Sequence, residues 1–256
     1  GIVLGGAVVV GWCWVNRFAL KLAIPYFIIL ALFTLVQARI RAETGVPLGW
    51  DYPYGMQKRI FDRVLGTKGI MNLGGQQGLV MMSFYSWLAR YNFLGETAAF
   101  ETDNATLWED VGIRRSTSFW FIALGLVFGI GIGFIIHMKA HYLLGGSLLQ
   151  GASFYGTANN RVARAEYIDL GAQLISPASP DITRTAYIAL GFALLPVLVF
   201  VRKVFLRFPF HPVGFLLATC YGPTPYYWSS FMLSWGAKAV VLRLGGAAFY
   251  RRLVPF

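Results

Sequence analysis

Six side chains in this sequence have the type and setting to do chemistry: Arg39, Glu43, Gln76, Gln77, His211 and Lys238. Arg39 and Glu43 stand four apart, so on a helix continuing from the apolar run before them they share a face. Gln76 and Gln77 lie inside the apolar segment 70–94, next to Gly74, Gly75 and Gly78. Lipid cannot satisfy amides, so a membrane helix carrying them must turn them toward other helices or a cavity. His211 sits in Phe208-Pro-Phe-His-Pro-Val-Gly214, where two prolines and a glycine break regular helix. Lys238 interrupts the apolar run 226–242. Arg39 and Lys238 are suited to holding an anionic group, and Glu43 or His211 to carrying a coupling proton.

Each of these has a plainer reading. The 208–222 stretch reads either as a tight interfacial turn, the reading it favours taken alone, or as a broken re-entrant element of the kind that lines transporter sites. Lys238 is four residues from the end of its run and either snorkels to the interface or serves a site. His137 and His141, at i and i+4, have the spacing to share a metal or ligate haem or a pigment. No third ligand is nearby in sequence, and interfacial histidines are the better reading. His211 has the same weak potential, so no cofactor and no metal is expected. The two cysteines, Cys13 and Cys220, show no C-x-x-C spacing and indicate neither zinc nor a disulfide framework. H-E-x-x-H and G-x-S-x-G are absent, which ranks an intramembrane enzyme last.

The elements that must position these groups follow from composition. The chain has 256 residues, 57% hydrophobic and 13% charged, with a mean hydropathy of +0.58. A soluble domain carries about a quarter charged residues, so this is an integral membrane protein. The formal net charge is +11. Most basic residues flank apolar runs, so lipid headgroups explain them better than nucleic acid. The expected architecture is an all-α polytopic transmembrane bundle with re-entrant or interfacial segments, and about five spans. Residues 1–256 are read as one membrane domain. The sequence opens on Gly1 inside an apolar run and stops at Phe256 on what reads as the entrance to another span, so it is expected to be a piece of a longer chain.

Along the chain, spans are expected in 1–15 (the tail of one), 18–36, 117–136, 184–201 and 226–242. The segment 37–69 is expected as an interfacial loop with a turn at 51–55 and a charged amphipathic piece, Lys58, Arg59, Asp62 and Arg63, whose charges are solvated. Residues 70–94 read as a buried, interrupted helix. Residues 95–116, the most acidic part, read as a solvated loop with a short helix from Thr106 to Ile113. Gly125, Gly129 and Gly133 fall on one face of the 117–136 span and suit close packing of another helix. Residues 137–183 are expected as an extramembrane loop region with one short charged helix carrying Arg161, Arg164, Glu166 and Asp169, and Asp181 is placed to cap the next helix.

Three patches occur in fixed order: Ala38-Arg-Ile-Arg-Ala-Glu-x-Gly-x-Pro47, Phe208-Pro-Phe-His-Pro-x-Gly214, and Lys238-x-x-Val-Leu-Arg-x-Gly-Gly246 with Tyr250-Arg-Arg-x-x-Pro-Phe256. In these the chain resembles a family of uncharacterised bacterial multi-pass membrane proteins, loosely similar to oligopeptide transporters. The resemblance implies the bacterial inner membrane and, by analogy of fold, transport. Two functions from different classes are therefore carried forward. One is a transporter-like protein moving a small polar or anionic solute. The other is a structural or accessory subunit of a larger membrane complex. The partners expected are the lipid bilayer, other membrane subunits or a second copy, and no nucleic acid.

Overall fold

The computed structural model describes residues 2–45, 56–89, 95–145, 158–205, 208–220 and 227–253. The turn expected at 51–55, the glycines at 146, 151 and 156, and the closing residues 254–256 lie outside them. Among the described residues the protein is all α, with no strand. The helices are α1 (Ile2–Val15), α2 (Leu20–Thr44), α3 (Met56–Val64), α4 (Gly66–Tyr85), α5 (Gly95–Val111), α6 (Arg115–Leu144), α7 (Ala158–Ile175), α8 (Ile182–Val204), α9 (Pro212–Thr219) and α10 (Trp228–Leu253). A short 3-10 turn, Ser86–Ala89, follows α4.

Among the described residues, three helices are long and apolar enough to cross a membrane by length and composition: α2, α6 from Ser116, and α8. None of the apolar window of α6 or α8 is buried inside the molecule. Phe119, Phe121, Phe128, Phe134 and Phe192, all more than half exposed, point outward from these two helices. That much outward apolar surface is the signature of a chain solvated by lipid. Two of the other apolar runs give less. α1 is apolar but shorter, and α10 carries Lys238 and Arg243 and is broken at Gly246, which takes φ +65°.

Three stretches expected as loops hold helices among their described residues. The segment 37–69 holds the last two turns of α2, the whole of α3 and the start of α4. The helix α2 ends at Gly45, whose φ of +64° lets its N–H return to the Arg41 carbonyl at 2.9 Å. The acidic stretch forms the five-turn helix α5, which packs along α2. Arg41 grips Asp103 there, with Nη2 2.8 Å and Nε 3.0 Å from Oδ2. Of 137–183, the first residues complete α6 and the charged piece forms α7.

The core is built from the first half of α2 against α3, α4 and the end of α1. Phe18, Leu22, Tyr26, Ile70, Leu79 and Met82 are sealed there. Tyr26 meets Phe18, Phe61 and Tyr85 at ring-centroid distances of 6.4, 5.8 and 6.4 Å. The link between α7 and α8 is tied to the α3–α4 junction by backbone. Asp181 N–H donates to the Arg63 carbonyl (2.9 Å), Lys68 N–H to the Ala178 carbonyl (3.1 Å), and Ala178 N–H to Thr67 Oγ1 (2.6 Å). Asp181 caps α8 as its position predicts, accepting the Arg184 N–H at 3.0 Å.

Candidate functional site

The far half of α2 does different work. Val36, Arg39, Ile40 and Glu43 recur at i, i+3, i+4 and i+7, and so form one stripe. That stripe faces Leu195, Val199, Arg202 and Lys203 of α8 and His211, Pro212, Val213 and Leu216 around α9. The three stripes border an open cavity of about 620 Å3, within the roughly 300–1,000 Å3 of small-molecule sites. Its walls are mostly aliphatic. Three cations and one carboxylate converge on it, a formal excess of two positive charges with histidine counted neutral. Arg39 Nε lies 2.6 Å from Glu43 Oε1. Among the described residues, neither Arg202 nor Lys203 is in a salt bridge.

His211 shows how the broken stretch is built. It precedes α9 in extended conformation, and its Nδ1 accepts the Val213 N–H at 3.2 Å, so the imidazole caps the helix. Pro212 occupies the first helical turn, where its missing N–H costs nothing. The cap brings the start of α9 to the mouth of the cavity and leaves one ring nitrogen for other contacts.

Three of the six sequence candidates therefore meet: Arg39, Glu43 and His211. The other three do not line the cavity. The helix α4 is interrupted at Gly75, φ +65°, as the glycines suggest. Its buried face is apolar, however, with Ile70, Leu79 and Met82, while Gln76 and Gln77 are exposed. Gln77 Nε2 reaches the Asn16 carbonyl at 3.3 Å, in the turn between α1 and α2. Lys238 is exposed on α10, with Nζ 5.2 Å from the centre of the Tyr250 ring. A Cβ added at Gly125, Gly129 or Gly133 would meet nothing within 4 Å, so among the described residues no helix uses that face. His137 and His141 touch, Nε2 to Nε2 at 2.9 Å. Among the described residues no three His, Cys, Asp or Glu side chains converge as metal ligands.

Sequence reasoning missed Arg202 and Lys203 as site residues, because they look like any basic flank. It also placed Lys58 and its neighbours in solvent. The structure buries Lys58 against Glu166 of α7, with side chains 4% and 6% exposed. Asp169 Oδ2 stands 3.9 Å from the same ammonium. Asp62, one turn further along α3, has an oxygen removed from solvent with no donor upon it. Burial, with repulsion from Asp169 and Glu166 and only partial relief from Lys58 and Arg63, pushes its carboxyl up to about 6. The i, i+4 spacing of Lys58 and Asp62 was a readable signal. Burial of that face depended on α7, more than a hundred residues away.

The comparison with known families settles membership. A family of unknown function, DUF6785, matches residues 1–256. The chain belongs to that family. Neither the curated proteins nor the solved structures contain a match to it. The family carries no activity to transfer, so the function must be argued from the cavity itself.

Proposed function

We propose that the chain belongs to a multi-pass, transporter-like protein of the bacterial inner membrane, and that a small polar or anionic solute is bound between α2, α8 and α9. The observation that carries this reading is the convergence of Arg39, Glu43 and His211 with Arg202 and Lys203 on one aliphatic-walled cavity. Guanidinium and ammonium groups recognise carboxylate or phosphate oxygens, Arg in a planar fork and Lys as a point charge. The aliphatic wall accepts the rest of the solute. Glu43 holds Arg39 in the absence of a solute, and an incoming anion competes with it for the guanidinium. Such exchange of partners is a suitable step for a carrier, because it lets the ligand leave again.

The test is uptake by the full chain reconstituted in liposomes, with labelled phosphate and labelled small carboxylates as probes. The reading expects uptake of at least one probe, reduced about tenfold or more by Arg39→Gln and by Arg202→Gln. Absence of uptake and of binding for every probe, with the protein folded, overturns it.

A second reading, a structural or accessory subunit of a larger membrane complex, is favoured by one specific observation. The glycine face of α6 is open along its length, and small-residue faces allow close approach of another helix. Native purification separates the two readings. A partner of fixed stoichiometry that is lost in Gly129→Leu supports the subunit; a chain that purifies alone and binds probe supports the carrier.

A further inference from the structure

Asp62 takes no part in the cavity, and its surroundings are unusual. Lys58 and Arg63 flank it on α3, and Glu166 and Asp169 face it from α7. The charges of α8 reach it only through Arg63, which is itself held 3.7 Å from Asp181, while Asp181 also holds Arg184 at 3.3 Å. The helix α2 and the 3-10 turn meet α3 through Gln57, whose amide donates to the Ser86 carbonyl at 2.9 Å and faces Tyr26, so they bring it no charge. Lys68 of α4 is exposed and is not among the charges acting on Asp62. Three carboxylates thus surround one buried ammonium, and one oxygen of Asp62 is shut away from water without a donor.

An ionised carboxylate oxygen in that position has lost its hydration and gained no hydrogen bond in return, with only partial relief from the charges of Lys58 and Arg63. A proton repairs both faults: it removes the charge and turns the group from acceptor only into a donor. We propose that Asp62 is a proton-binding site, and that its loading sets the strength of the ionic link between α3 and α7 at Lys58. The proton comes from solvent and forms an O–H bond on the Asp62 carboxylate, and no bond in the protein breaks. The formal charge of Lys58, Asp62, Glu166 and Asp169 together rises from −2 to −1 (one cation against three carboxylates, then against two). Unloaded, Asp62 competes with Glu166 for Lys58; loaded, it leaves the ammonium to Glu166.

The upward displacement of the Asp62 carboxyl to about 6 agrees with this. The site stands without the transport reading. If that reading holds, Asp62 is a better coupling group than Glu43, whose carboxylate is already paired with Arg39, or His211, whose ring is engaged in capping α9.

The experiment is infrared difference spectroscopy of the full chain in lipid nanodiscs, titrated from roughly pH 8 to roughly pH 5. A protonated-carboxyl band should grow in with a midpoint near 6 and be missing from Asp62→Asn. Asp169→Asn removes a repelling charge from the exposed rim of the cluster and should move the midpoint down. A wild-type spectrum with no such band, a band that persists in Asp62→Asn, or a midpoint that Asp169→Asn leaves in place overturns the proposal. Should Asp62→Asn fail to fold, the midpoint in Asp169→Asn decides alone.

Discussion

The Arg39–Glu43 pair and the Lys58–Glu166 pair are chemically alike and physically opposite. Arg39 is 78% exposed in its side chain, and Lys58 is 4% exposed. An exposed i, i+4 pair contributes about 0.3–0.5 kcal/mol, so Arg39→Gln should leave thermal stability nearly unchanged. The same substitution should weaken anion binding by about 1.5 kcal/mol, or roughly tenfold, read by titration calorimetry with phosphate and a small carboxylate. Glu166→Gln, by contrast, strips a buried ammonium of its partner and should cost about 3 kcal/mol in unfolding measurements. Asp62 gives the pH dependence. Its carboxyl lies at about 6 when folded against 3.8 ordinarily. The native state therefore binds the proton more tightly than the unfolded chain does. Its contribution is fully present below about pH 4 and is lost as pH rises through about 6, a change on the order of 3 kcal/mol. Unfolding of Asp62→Asn should lack that slope.

At the scale of elements, the α3–α4 junction and the α7–α8 link act as one unit. Gly66 takes φ +68°, and a Cβ there would lie 2.6 Å from the Pro180 nitrogen and the Ser179 carbonyl carbon, both backbone. Gly66→Ala should therefore destabilise by about 2–4 kcal/mol, combining left-handed strain with overpacking, measurable as a lowered midpoint of unfolding. Asp181→Ala removes the cap of α8 together with the partly exposed ion pairs to Arg63 and Arg184, and should cost about 1–2 kcal/mol. The Asp181 cap was legible because capping is local. The length of α2 was not. Gln37, Arg39, Arg41 and Glu43 have the composition of a loop, yet they alternate with Val36 and Ile40 at helical spacing. What makes them helix is the neighbour: α5 packs along this half of α2 and offers Asp103 to Arg41. For the same reason α5 looked like a solvated acidic loop, since its partner lies far away in sequence.

At the scale of the molecule, the outward phenylalanines of α6 and α8 are mostly without protein cover among the described residues, and lipid supplies it. The chain should remain in the membrane pellet after alkaline carbonate extraction and should require detergent for release. Solubility in carbonate would contradict the lipid-solvated reading. The two halves of α2 then divide the labour. The first half anchors the aromatic core, and the second lines the cavity.

The sequence alone determined that the protein is helical and suited to lipid, because composition and the length of apolar runs depend on no distant contact. It also marked Arg39, Glu43 and His211, through spacing and backbone chemistry. Only the tertiary structure decided that these three share a cavity with Arg202 and Lys203, that Gln76, Gln77 and Lys238 stand apart from it, and that Lys58 and Glu166 are buried together. The physical reason is that burial and convergence are properties of pairs of elements. A side chain's neighbours across a helix interface are set by packing between segments far apart in the chain, and no local pattern encodes which face a distant helix will cover.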